Sequence, residues 1–155
     1  MIPTTLFDER PELTELPCPV GGAVDPALMW SIAHQQGIRL PSKSYWDFVE
    51  LITVSHPDKV NNLTEYDKIF RWTELIQSSP LAVERSVYEI IGGAYRKCNI
   101  TLLELRLNPM KRNREGEQDL DPIITASLRG MDRALLEYPL ARAWLILMMD
   151  RTFPL

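Results

Sequence analysis

The sequence has no basic excess and no long apolar run. Its 155 residues carry 17 lysines and arginines against 21 acidic residues, which gives a formal net charge of -4. Nucleic acids and anionic membranes attract basic surfaces, so neither is an expected partner. The longest strongly apolar run, from Ala143 to Met149, is far shorter than the roughly 20 residues of a membrane-spanning helix.

Cysteine and histidine are scarce, with two of each. Cys18 and Cys98 are far apart and form no CxxC pair, so neither a disulfide framework nor a zinc-finger site is indicated. We interpret Cys18 as a small buried residue, and His34 and His56 as surface or packing residues. Residues 1–16 contain acids and prolines where a secretion signal needs a basic start and an apolar stretch. The expected location is therefore the cytoplasm, with reduced thiols.

Several catalytic motifs are also missing. The sequence contains no GxGxxG, GxxxxGK, GxSxG or HExxH pattern. Dinucleotide-binding, P-loop, serine-hydrolase and zincin chemistry therefore lack support. Gly21-Gly22 is the one glycine turn after a short apolar stretch that is placed to approach a ligand.

Hydrophobic periodicity and breaker residues predict an order of elements. After an irregular lead-in over residues 1–15, strands are expected at 16–20, 100–107 and 142–149. Helices are expected at 25–37, 44–53, 64–78, 80–97 and 121–137, with an exposed loop at 111–118. Asp25 and Asp121, each followed by proline, are predicted helix caps, and Thr64 with Asp67 forms a candidate capping box.

The order of strand, several helices, strand, helix, strand is typical of βα units around a parallel sheet. Residues 16–155 are therefore predicted to form one α/β domain. Three parallel strands leave both outer edges of the sheet open, and open edges pair with other chains. We accordingly expect self-association or a complementary chain as partner.

Charged residues on the second strand and after it have two interpretations each. Glu104 and Arg106 lie on one strand face, and we favour an internal ion pair over a functional pair that contacts a ligand. Lys111, Arg112 and Arg114 are followed at once by acids, so a solvated loop is favoured over a phosphate contact.

Tryptophan and methionine are interpreted as packing residues rather than as part of a cofactor site. This prediction covers the four tryptophans and the last methionine pair, which are Trp30, Trp46, Trp72, Trp144 and Met148-Met149.

Residues 15–41, ELPCPVGGAVDPALMWSIAHQQGIRLP, resemble the opening of adenosine deaminase-type amidohydrolases. That family begins its barrel with Glu-Leu-His-x-His-Leu, a glycine turn, a helix and then Gly-Ile-x-Leu-Pro. The segments LLELRLNP at 102–109 and WLILMMDR at 144–151 are similar to its second and third strands. The resemblance implies an incomplete TIM-barrel-like fold with about three of eight βα units and extra helices.

The resemblance also implies a chemistry, which is hydrolytic removal of an amino group from a purine by zinc-activated water. Two first-strand histidines bind the zinc in that family, and the matching positions here are Pro17 and Pro19. Proline has no donor atom, so no metal ligand, no bound zinc and no catalytic residue is predicted. An aspartate that many members use near the ribose matches Gly21. The candidate substrate-binding residues are Gly21, Gly22 and Arg106, for a purine-like small molecule.

Three functions are compatible with this sequence. The first is an inactive deaminase-family member, a pseudoenzyme or fragment without catalysis of its own. The second is one part of a split or oligomeric purine deaminase that another chain completes. The third is a non-catalytic binding or scaffold protein. Because replacement ligands for Pro17 and Pro19 are not evident, the first is favoured over the second.

Overall fold

The computed structural model describes residues 11–54, 62–112 and 119–149. Within these ranges three strands alternate with five α-helices, and a short 3₁₀ turn at Met110–Arg112 follows the second strand. The strands are β1 (Leu13–Pro19), β2 (Ile100–Leu107) and β3 (Arg142–Leu147). The helices are α1 (Pro26–Gln35), α2 (Tyr45–Ile52), α3 (Leu63–Ile76), α4 (Pro80–Cys98) and α5 (Asp121–Glu137).

The strands form one parallel sheet in the order β1-β2-β3. This confirms the predicted parallel α/β arrangement. Arg106 of β2 lies beside Pro19 on one side and Ile146 on the other. The β1 register shifts between Glu15 and Cys18, and β1 begins at Leu13, earlier than predicted. Residues 1–10 of the predicted lead-in lie outside the described ranges.

One face of the sheet is covered by helices and the other is not. Leu103, Leu105 and Leu107 alternate along β2 and are fully or almost fully buried in the core. The intervening side chains point to the opposite face, because successive strand residues alternate. Arg106 on that face is exposed, as are Trp144 and Ile146 of β3. The described part of the sheet therefore has a closed, apolar side and an open side.

Helices α4 and α5 pack together closely at glycines. A methyl group added at Gly130 of α5 would lie 2.3 Å from the carbonyl oxygen of Glu84 in α4. One added at Gly92 of α4 would lie 2.8 Å from the ring of Tyr138. The lack of a side chain at Gly92 thus serves packing, whereas Gly93 faces open space.

The helix caps agree with the sequence in part. The Asp25 carboxylate accepts a hydrogen bond from the Ala27 amide at 2.9 Å, which confirms that cap. Helix α3, however, is capped by Asn62, whose side chain accepts from the amide of Glu65, so the capping box at Thr64 was wrong. Asp121 makes no capping bond to α5, and its own amide instead donates to the side chain of Asp119. The error at α3 is a displacement of two residues, since asparagine is at least as good a cap as threonine. Helix α5 instead has Leu120 at its N-cap position, without a side-chain capping bond.

Two of the four tryptophans are exposed and lie outside the core. Trp30 and Trp72 are half-buried against the core, as expected. Trp46 is 74% exposed and Trp144 is 50% exposed, and Met149 is 83% exposed. Trp144 is exposed because it lies on the open side of the sheet. None of the described helices is long and apolar enough to cross a membrane.

Candidate functional site

The candidate site lies where β1 and β2 end. Ligands of open parallel sheets bind beyond the carboxyl ends of the strands, so this is the edge at which function is expected. The amide of Val20 donates to the carbonyl of Arg106 at 3.0 Å, and the amide of Gly22 donates back to Pro19 at 3.0 Å. The side chain of the buried Gln77, just after α3, donates to the carbonyl of Val20 at 3.3 Å. The chain is therefore held on both sides as it leaves β1.

The glycine turn at Gly21-Gly22 is packed against α3. A methyl group added at Gly21 would lie 3.2 Å from Cδ1 of Phe70, and one at Gly22 would lie 3.4 Å from Cε1. Gly21 is buried, whereas Gly22 is exposed. The turn thus places backbone against an aromatic ring, and a role for these glycines in substrate binding stays a prediction.

Arg106 lies on the open side of the sheet and is exposed, with Glu104 half-buried on the same face. Within the described residues the structure shows no ion pair between these two side chains, so the favoured interpretation was wrong. Two residues along a strand are about 7 Å apart, and nothing on the open side presses these side chains together. A contact between Arg106 and substrate remains a prediction.

The matched zinc positions on β1 hold no donor atoms. Pro19 lies beside Arg106 at the end of the strand, and Pro17 precedes it by two residues. Between them Cys18 is buried against the helices, and burial, with a smaller contribution from the charge of Glu15, raises the pKa of its thiol to about 11. A neutral thiol turned away from the open side is a poor metal ligand. These residues do not fit zinc, and no group of three or more potential ligands occurs among the described residues.

Arg112 is the functional candidate that the sequence placed wrongly. It was expected in a solvated loop, yet its side chain is only 2% exposed. The turn that carries it is fixed by Asn108, whose side-chain oxygen accepts from the amides of Met110 at 3.0 Å and Lys111 at 3.3 Å. The Arg112 guanidinium lies next to Gly21, with Nη2 3.5 Å from the point where a methyl group would sit. Arg114 lies outside the described residues.

Elsewhere, polar and charged side chains form surface contacts. His34 has Nδ1 2.8 Å from the carbonyl oxygen of Trp30 and its ring lies against the Trp30 ring, which confirms a surface and packing role. His56 lies outside the described residues. A groove of about 730 Å³ between β1, α1 and α4 is crossed by the ion pair of Lys97 with Asp25 at 3.0 Å. It lies on the helix side, away from the open side of the sheet.

The family model described as adenosine deaminase matches residues 13–154. The chain is 31% identical over 140 residues to an adenosine deaminase of Vibrio vulnificus, covering 90% of this chain and 41% of that protein. It is 30% identical over 120 residues to an adenosine deaminase of Shewanella halifaxensis, covering 77% of this chain and 35% of that protein. The chain thus spans about two fifths of the length of the relatives it matches.

Solved structures agree on the fold. An adenine deaminase of Arthrobacter aurescens superposes with a TM-score of 0.75 at 14% identity, over 88% of this chain and 39% of that chain. An amidohydrolase of Burkholderia ambifaria with bound Zn superposes with a TM-score of 0.73 at 20% identity, over 92% of this chain and 36% of that chain. Both are TIM-barrel amidohydrolases, and the three parallel strands described here correspond to part of such a barrel.

Proposed function

Since the chain belongs to the adenosine deaminase family, we propose that it is a member that does not deaminate purines by itself. The observation that carries this proposal is the pair Pro17 and Pro19 at the end of β1, where neither side chain has a donor atom. A zinc-dependent hydrolase needs ligands that hold the metal while it activates water. The residues described here supply no such set at β1.

The open side of the sheet supports a binding role for this pseudoenzyme. Arg106, Trp144 and Ile146 are exposed there, and β1 and β3 each have one unpaired edge in the described sheet. Exposed aromatic and apolar side chains next to open strand edges are typical of a surface that another chain covers. We propose self-association or a complementary chain as the partner, with a purine-like molecule near Gly21, Gly22 and Arg106 as ligand.

The split-enzyme alternative uses the same surface. In that case a second chain would complete the barrel and bring its own metal ligands, so that catalysis would not depend on Pro17 and Pro19. The open side of the sheet is the observation that favours this alternative. In either case we propose a cytoplasmic protein with a place in purine metabolism, and with both thiols reduced.

Metal analysis together with ammonia release tests the proposal. We expect the purified chain to hold no stoichiometric zinc and to release no ammonia from adenosine. The variant carrying Pro17→His and Pro19→His is expected to stay inactive, because two imidazoles restore only part of a ligand set. Pro17→Ala serves as the control for loss of the proline ring alone.

Two results would contradict the proposal. About one tightly held zinc per chain, unchanged in the Pro17→Ala control, would show a metal site made from other residues. Ammonia release by the purified wild-type chain would show catalysis without the first-strand histidines. Activity that appears only after addition of a second chain would instead support the split-enzyme alternative.

A further inference from the structure

Arg112 is a buried cation with unsatisfied hydrogen-bond donors. Its Nε and Nη1 atoms are buried, and neither has a hydrogen-bond partner among the residues that the structure describes. Burial lowers the pKa of the guanidinium to about 10, and the nearby carboxylate of Glu74 in α3 partly offsets that effect. A group with this pKa is still protonated at neutral pH. Two unpaired N–H groups on a buried charge are costly, so an acceptor at this position would stabilise the fold.

The surroundings hold Arg112 in place, but the described residues offer no hydrogen-bond acceptor to its Nε and Nη1 groups. Its backbone amide donates to the carbonyl of Pro109 at 3.1 Å, and the buried Asn108 fixes the turn before it. The Gly21 backbone lies beside Nη2, and the ring of Phe70 lies against the same glycine. The guanidinium therefore has a fixed position at the ends of β1 and β2.

We infer that Arg112 binds a small oxyanion, a phosphate or carboxylate group, at the ends of β1 and β2. Planar guanidinium donors match the oxygens of both groups, and a charge-assisted hydrogen bond is roughly twice as strong as a neutral one. A methyl group at Gly21 would lie 3.5 Å from Nη2, so the glycine keeps a side chain away from this side of the guanidinium. The anion completes the hydrogen bonding that the described residues leave open.

Titration of the full chain with inorganic phosphate and with acetate tests this inference. At constant ionic strength, one of them should raise the melting temperature saturably and shift the amide resonance of Gly21. Arg112→Gln should weaken the binding about tenfold or more, since it removes charge-assisted hydrogen bonds. The adjacent Lys111→Gln removes an exposed positive charge of the same segment and should leave the binding within about twofold.

The source of the anion is tested by comparing the binding of AMP with that of adenosine. This comparison rests on the proposed purine ligand. Preferential binding of AMP through Arg112 would identify a nucleotide phosphate, whereas equal binding of free phosphate and AMP would identify a free anion. If Arg112→Gln does not fold, a saturable shift of the Gly21 amide resonance in the wild-type chain tests the inference instead. Binding that leaves Gly21 unshifted, binding unaffected by Arg112→Gln, or no binding of phosphate, acetate or AMP would overturn the inference.

Discussion

Gly130 packs directly on the backbone of α4, and a side chain there has no space. A methyl group would meet the Glu84 carbonyl oxygen at 2.3 Å, and a carbonyl in a helix cannot move aside as a flexible side chain can. We expect Gly130→Ala to lower the free energy of unfolding by about 1–3 kcal/mol, the usual cost of overpacking. Urea unfolding at fixed protein concentration measures it.

Gly93 provides the matched control for that substitution. It is also helical, but a methyl group there would meet no atom within 4 Å apart from the neighbouring backbone of its own helix. Gly93→Ala should therefore raise stability by up to about 1 kcal/mol, because alanine restricts the unfolded chain and favours helix. Equal effects of the two substitutions would show that α4 and α5 do not pack through Gly130.

The two cysteines should differ in reactivity. Cys98 is exposed, whereas Cys18 is buried with a pKa raised to about 11. At about pH 8 roughly one Cys18 thiol in a thousand is thiolate, the reactive form. Iodoacetamide should label Cys98 first, and Cys18 only as the pH approaches 11 or after unfolding. Peptide mass spectrometry reads both sites, and equal labelling rates in the folded protein would contradict the burial of Cys18.

At the scale of elements, Asp25 joins the start of α1 to the end of α4. One carboxylate oxygen accepts from the Ala27 amide and the other pairs with Lys97 at 3.0 Å. Asp25→Ala should cost about 1 kcal/mol, the usual value of an N-cap. Asp25→Asn keeps the cap oxygen and should cost less, since an exposed ion pair is worth about 0–1 kcal/mol. Asp121→Ala, at a residue that makes no capping bond to α5, is the control and should cost least.

The same residue predicts a pH dependence. The hydrogen bond from Lys97, followed by that from the Ala27 amide, holds the pKa of Asp25 below its ordinary value of 3.8. A lowered folded-state pKa gives stability that is present above 3.8 and is lost as the pH falls through the folded value. The difference in unfolding free energy between wild type and Asp25→Asn should therefore shrink as the pH falls from 3.8 through the folded-state pKa of Asp25. A difference that stays constant to lower pH would show that the carboxylate charge contributes nothing.

The elements were predictable because their signals are local. Asp25-Pro26 begins α1, Ser79-Pro80 begins α4, and leucine alternation identifies β2, all within a few neighbouring residues. Arg112 was not predictable in this way. Its burial depends on α3 and the turn after β1, which are distant in sequence, while its own neighbours are polar.

The candidate site was predictable only in its location. Gly21 and Arg106 do lie at the ends of adjacent strands, as parallel topology requires. The hydrophobic pattern of β3 does not predict which face of the strand is open, because that depends on the elements that pack against the sheet. The sequence around Trp144 is compatible with either face of the strand. The structure places the Trp144 side chain on the open side.

For the whole molecule we predict association. The described sheet has helices on one side only, and exposed Trp144 and Ile146 on the other. Sedimentation at micromolar concentration should show species larger than 17.9 kDa, and stability should rise with protein concentration. A compact monomer whose unfolding is independent of concentration would contradict this prediction, because the open side would then need no cover.

The two outer strands of the sheet offer unequal edges. Pro17 and Pro19 in β1 have no amide hydrogen to donate, whereas β3 contains no proline over its length. A head-to-tail assembly, β3 of one copy against β1 of the next, would therefore lack donors at each junction. Pairing of β3 with β3 about a twofold axis keeps every backbone N–H donor at the junction. The combined sheet then has a proline-bearing β1 strand at each outer edge. The symmetry of the contact then limits growth to two copies and disfavours a fibre.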